Sequence, residues 1–268
     1  TQPFVIKHPD GGFLVIFGTG SWLTHGDGTS TSVESVYGIW DRQEISPGTA
    51  SPDSKLNRLV EQTITNVVDE TSPDFQRQRI VSANPVSYVP DAPGDPGVYG
   101  WYIDLDPVRP TTTLQGNANP DISGNAAPAV QYPGERAIRR IVSRGSAILI
   151  TTVVPRDANT CTQAPPGSTF PIDGLSGGNP KRPIFDLNND GVINDTDYVN
   201  VGGVNYASGI VFDTDDLDGT LVDPSLLVGS GDYDFLFLSG GDDQVTIRIA
   251  PPEDQKVGRL SWRQLMNE

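Results

Sequence analysis

Short apolar runs broken by turn-forming residues dominate the chain, and their pattern predicts strands rather than helices. Residues 4–6 and 13–17 flank Pro9-Asp10-Gly11-Gly12, and Asp-Gly between two apolar runs predicts a hairpin. Further strands are predicted over 33–40, 77–81, 101–105, 170–172 and 209–212. Residues 135–141 and 147–154 form a predicted pair turning at Arg144-Gly145-Ser146. Residues 235–238 and 245–249 form a final hairpin across Gly240-Gly241-Asp242-Asp243. Residues 56–68 have mixed periodicity and fit a strand or a short helix. Residues 46–53 read as a polar loop, 82–95 as a proline-rich one, and 107–133 as a long exposed insertion. Residues 258–265 read as a last strand or turn docked through Leu260, Trp262 and Leu265.

A weak repeat runs through these strands. Tyr37-Gly-Ile-Trp-Asp41, Trp101-Tyr-Ile-Asp104, Phe170-Pro-Ile-Asp173, Ile184-Phe-Asp186 and Ile210-Val-Phe-Asp213 are each a short aromatic or β-branched run closed by Asp and a turn. Asp favours turns on its own account. Recurring strand-and-turn units nevertheless predict a mainly β fold, a partial or modified β-propeller of short antiparallel sheets with long loops. The expected organisation is a single propeller-like domain over residues 1–268.

Composition sharpens this picture. Twenty-nine glycines and 23 prolines favour many turns, in keeping with short strands. The formal net charge of −16 and the absence of a basic stripe argue against nucleic acid as a partner. They suit divalent cations and an extracytoplasmic surface. Cys161 is the only cysteine, so no internal disulfide forms, and pairing outside the chain stays open. No run of ~18 apolar residues is present, so no membrane span is expected. No signal peptide opens the chain, which reads as a mature piece or an excised fragment.

The most specific chemistry lies in residues 186–197, Asp-Leu-Asn-Asn-Asp-Gly-Val-Ile-Asn-Asp-Thr-Asp. Calcium takes several oxygen ligands, and loops of this kind supply them at alternate positions. Asp186, Asn188 and Asp190 occupy positions 1, 3 and 5, and Gly191 provides the sharp turn at position 6. Val192 offers its carbonyl at position 7, Asn194 falls at position 9 and Asp197 closes the loop. Ile193 at position 8 is expected to anchor the loop in apolar packing. The usual closing residue is Glu, and the shorter Asp197 must draw the backbone inward. Asn194, Asp195 or Asp197 therefore remain alternatives for completing the site. An Asx-rich turn without metal is the competing reading. A second acidic cluster at Asp213, Asp215, Asp216 and Asp218 does not fit the loop register and reads as an acidic turn.

Catalysis finds little support. Gly18-Thr19-Gly20-Ser21 lacks the lysine and third glycine of phosphate-binding fingerprints and reads as a tight turn. Ser21, His25 and Asp27 sit close together in a Gly-rich stretch without a nucleophile elbow. His8, beside a turn, reads as solvated.

Phe17-Gly-Thr-Gly20, Tyr37-Gly-Ile-Trp-Asp41, Gly100-Trp-Tyr-Ile-Asp-Leu105 and Gly134-Glu-Arg136, in that order, resemble the C-terminal propeller of PilY/PilC-type type IV pilus proteins. The 186–197 loop and Ser261-Trp-Arg-Gln-Leu265 extend the resemblance over most of the chain. It implies a C-terminal fragment of a larger protein, a non-enzymatic domain in the periplasm, at the pilus tip or on the outer cell surface. The implied work is pilus (fimbrium) biogenesis and twitching motility, with minor pilins as partners, and adhesion to a host or other surface ligand in some members. It also implies that calcium in this loop tunes extension against retraction, with Asp186, Asn188, Asp190 and Val192 supplying oxygens. Asn194 departs from the family's carboxylate and is expected to weaken the site by lowering ligand charge. Two other classes compete with this reading: a quinoprotein-like propeller enzyme using calcium to hold a cofactor, and a dockerin-like calcium module, which needs duplicated loops with helices.

Overall fold

Alternation along the first two runs builds the first sheet. In β2 (Phe13–Gly18), Leu14 and Ile16 are fully buried, whereas Phe13 is exposed and Val15 and Phe17 are half-buried. Period-two burial of this kind is what a sheet with one face on the core requires. β2 pairs antiparallel with β1 (Phe4–Lys7) and β3 (Ser35–Asp41). β3 pairs with β7 (Gly100–Asp104), and β4 (Leu59–Gln62) adds to β7 in parallel, giving the order β1-β2-β3-β7-β4. The computed structural model describes residues 2–42, 58–68, 75, 77–88, 97–105, 134–155, 167–212, 222–229, 233–240 and 243–252.

A second sheet runs β5-β6-β13-β10-β9-β8. Its strands are β5 (Ile64–Val68), β6 (Arg77–Val81), β8 (Val142–Arg144), β9 (Ala147–Val153), β10 (Gly167–Asp173) and β13 (Gly209–Phe212). Every residue of β9 is buried. The reason is that this sheet is the middle layer. Ile148, Ile150, Phe170 and Ile172 meet Leu14, Ile16, Val36 and Trp101 of the first sheet in one core. Leu149, Val153, Ile210 and Phe212 face a second core on the other side.

That second core is closed by two small sheets. One is the hairpin β11 (Tyr198–Val201) with β12 (Val204–Ala207). The other is β14 (Ser225–Leu227), β15 (Asp234–Gly240) and β16 (Asp243–Ile249). Leu236, Leu238, Ile247 and Ile249 point inward from β15 and β16. The described residues thus form sixteen strands and two short 3₁₀ turns, with no α-helical element and no sheet closed into a barrel.

Several expectations change. The repeated Asp-terminated runs do not each found a blade: β3 neighbours β7 in the first sheet, and β10 neighbours β13 in the second. Of the stretch 56–68, the described residues 58–68 supply two strands that divide between two sheets after Gln62, neither of them helical. Residues 135–141 are not a strand. Arg136 alone bridges Val153, because this segment is held by side chains: Glu135 reaches Arg79, and the Arg136 guanidinium spreads over the carbonyls of Ser21, Asp27, Ser30 and Gly134. His8 is buried, not solvated, stacked on Trp40 with ring centroids 4.1 Å apart. The readings at 46–53, 107–133, Cys161, the cluster from Asp213 to Asp218, and 258–265 lie outside the described residues.

Candidate metal centre

The chain before the loop is pinned by apolar burial and by β16. Ile184, Phe185 and Leu187 are buried in the second core. Phe185 bridges Ile249, the Ala250 N–H donates to the Ile184 carbonyl at 2.7 Å, and the Asp186 N–H donates to the Arg248 carbonyl at 3.1 Å. Asp186 therefore enters the loop already buried at its backbone and side chain. After the loop, a 3₁₀ turn (Asp195–Asp197) runs straight into β11, whose Val199 and Val201 join the same core. Ile193 is only half-buried and belongs to neither core, so the anchoring expected of it falls to Ile184, Phe185 and Leu187.

Inside, three Asx turns wind the backbone. Asn188 Oδ1 accepts the Asp190 N–H at 3.0 Å, Asp190 Oδ1 accepts the Val192 N–H at 2.8 Å, and Asn194 Oδ1 accepts the Thr196 N–H at 2.8 Å. Each side chain bonds the backbone two residues on, the habit that suits Asn and Asp to turns. Asn189 and Gly191 take positive φ, 56° and 86°, a conformation that glycine adopts freely and Asn tolerates.

The two terminal carboxylates staple this coil. Asp186 Oδ2 accepts the Gly191 N–H at 3.1 Å. Asp197 Oδ1 accepts N–H groups from Leu187 at 2.8 Å and Asn188 at 3.4 Å, and its Oδ2 accepts the Asn194 N–H at 2.9 Å. Burial pushes the Asp197 carboxyl above the usual range. The three N–H groups oppose that shift, and the neighbouring charge of Asp186 adds to it.

Asp186 Oδ1 is buried and has no hydrogen-bond partner. Leaving a buried carboxylate oxygen unsatisfied is costly, and an oxygen-seeking cation would relieve it. The loop's side chains and carbonyls offer hard oxygen donors, which fit calcium in chemistry. Only Asp186, Asp190 and Asp197 carry charge at the expected ligand positions; Asn188, Asn194 and the Val192 carbonyl are neutral. No cluster of three or more His, Cys, Asp or Glu arranged to hold a metal is found among the described residues. Asp197 is turned to the backbone, so its part in the structure is to close the loop.

Sequence reading missed Arg248. Its Nη1 donates to Asp186 Oδ2 at 3.1 Å and to Asn189 Oδ1 at 2.7 Å. It lies 62 residues beyond Asp186, and no local pattern announces the meeting. The Ser21, His25 and Asp27 stretch has a structural task. Asp27 Oδ2 accepts the Leu23 and Thr24 N–H groups at 2.8 and 2.9 Å, capping the 3₁₀ turn His25–Thr29, and these bonds hold its carboxyl below the usual range.

Fold and loop together define a mainly antiparallel, multi-sheet β domain carrying an oxygen-rich loop wound by Asx turns. No family model matches the chain. Over 273 residues it is 26% identical to "Type IV pilus biogenesis factor PilY1" of Pseudomonas aeruginosa (strain UCBPP-PA14), covering 97% of this chain and 20% of that protein. The PilY1 of strain PAK is 29% identical over 196 residues, 71% of this chain and 15% of that protein. A PilY1 homolog of Xylella fastidiosa is 26% identical over 266 residues, 97% of this chain and 17% of its own length. The crystal structure of the Pseudomonas aeruginosa PilY1 C-terminal domain superposes with a TM-score of 0.63 at 22% identity, covering 93% of this chain and 44% of that one. The chain thus spans at most a fifth of these curated relatives. Sequence and fold together support a PilY1-type C-terminal domain.

Proposed function

We propose that the chain is a calcium-binding, non-enzymatic domain acting in type IV pilus biogenesis. Similarity to PilY1 over 97% of the chain supports the pilus role. The buried, unpartnered Asp186 Oδ1 carries the calcium reading. In this reading Asp186, Asn188 and Asp190 present side-chain oxygens, Val192 its carbonyl, and Asn194 and Asp197 complete or close the loop. Calcium supplies positive charge to offset the loop's carboxylates, of which Asp186 and Asp197 already act on each other. With that repulsion offset, the loop holds one shape and fixes the surface beside β11 and β16, the two-state element a switch between extension and retraction needs. On architecture, unequal, mainly antiparallel sheets on shared cores favour a remodelled propeller. The site of action is the pilus tip or outer cell surface, with minor pilins as partners and adhesion to a surface ligand as a further role. No helix among the described residues is long and apolar enough to cross a membrane.

The test is Asp186→Ala combined with Asp190→Ala in the full-length protein. Calorimetric calcium binding is expected to disappear, and pilus number and twitching motility to change with it. Unchanged binding sinks the loop assignment. Lost binding with normal piliation and motility sinks its regulatory role.

A further inference from the structure

Arg248 holds the first loop position twice, by its carbonyl to the Asp186 N–H and by its guanidinium to Asp186 Oδ2. It projects from β16, where its backbone pairs with Phe235, and its side chain is about two-thirds buried at 34% exposure. The guanidinium also lies 5.6 Å from the Tyr233 ring centroid, a cation–π contact that limits its wandering. The exposed Asn189, at positive φ, aims its amide oxygen at the same Nη1.

We propose that Arg248 is the resident counter-cation of the loop and sets its calcium affinity. The inference rests on the calcium reading above. Arg248 binds Oδ2 and leaves Oδ1 unpartnered, so it orients the carboxylate without covering the free oxygen. Three carboxylates at the ligand positions and one guanidinium leave two negative charges, the charge of one divalent ion. A guanidinium stays protonated throughout the accessible pH range. It therefore steadies the metal-free loop and repels an arriving cation at every pH. These two effects oppose each other, which separates this role from a merely structural one.

The experiment is calorimetric calcium titration at low ionic strength, with thermal unfolding in chelator, on the unaltered chain, Arg248→Gln and Asn189→Gly. Arg248→Gln is expected to unfold at a lower temperature without calcium yet bind calcium about tenfold more tightly, by loss of like-charge repulsion at short range. Asn189→Gly loosens the guanidinium at a position where glycine is unstrained, and a smaller tightening is expected. If Arg248→Gln does not fold, Asn189→Gly decides alone. Equal or weaker binding by the folded variants overturns the role of Arg248 and leaves the calcium reading standing. No binding by the unaltered chain removes both.

Discussion

Arg79 Nη1 and Glu135 Oε1 meet at 2.5 Å, with both side chains withdrawn from solvent between the layers. Arg79 also donates to Asn66 Oδ1 at 2.9 Å and Ser168 Oγ at 2.7 Å, and Thr152 Oγ1 donates to the same Glu135 oxygen. Removing one partner of a buried pair leaves an uncompensated charge. Glu135→Ala is expected to cost about 3–5 kcal/mol, read as a lower urea midpoint at constant slope. Arg79→Met together with Glu135→Leu should recover much of it. A single variant within about 1 kcal/mol of the parent would mean that the pair is not held as ions.

The buried His8 makes stability depend on pH. Its Nδ1 accepts the Asp10 N–H at 3.1 Å, and Trp40 and Tyr88 enclose the ring. Burial pushes its pKa below the ordinary 6.5, Asp10 opposes that shift and Arg42 adds to it. The unfolded chain therefore binds a proton near 6.5 that the folded chain refuses. Stability from this source is complete above 6.5 and falls as pH drops through 6.5 toward the lower folded value. His8→Phe keeps the ring packing and loses one hydrogen bond, at about 1 kcal/mol. Its melting temperature should decline less steeply with acid than the parent's. Parallel profiles would contradict a neutral, buried imidazole.

Trp101 is clasped between two glycines. A Cβ on Gly38 would fall 2.2 Å from indole Cε2, and one on Gly177 would fall 2.2 Å from Cδ2. Gly38→Ala is expected to destabilise by about 1–3 kcal/mol through overpacking. Trp101→Phe should cost less in that background than alone, because the smaller ring relieves the clash. Additive unfolding energies would show that the indole has room to move.

Calcium at about a hundred times its dissociation constant should stabilise the chain by about 2.7 kcal/mol, seen as a raised melting temperature. Asp190→Ala should remove the shift. Gly191 has φ 86°, and a Cβ added there would meet nothing within 4 Å. Gly191→Ala therefore meets only backbone strain, about 1–2 kcal/mol. An equal calcium shift in Asp190→Ala would place the ion elsewhere.

Apolar runs bordered by glycine-containing turn sequences were legible, which is why β1, β2, β9, β15 and β16 fall close to their predicted places. The turn-forming habit of Asn and Asp in residues 186–197 was legible too, since Asx turns are local. What escaped was set at long range. β12 and β14 are short, open on exposed residues and take their form from partners. Glu135 and Arg136 looked like a strand because their anchoring carbonyls and guanidinium lie far away in sequence. His8 looked exposed because Trp40 and Tyr88 cover it from other segments. Of the Asp-terminated runs, those closed by Asp173 and Asp186 lead into turns, and pairing set β3 beside β7 and β10 beside β13 in sheets of unequal strand number.

Because residues 184–186 lie hydrogen-bonded along β16, the oxygen-rich coil is not a portable cassette. A peptide cut at its ends would lack Ile184 and Phe185, the core that buries Leu187, and the cation that faces Asp186. A chain shortened before β16 would keep the whole motif in its sequence and lose one wall of it in space. Grafting or truncation that respects only the twelve-residue signature should therefore yield a floppy acidic turn.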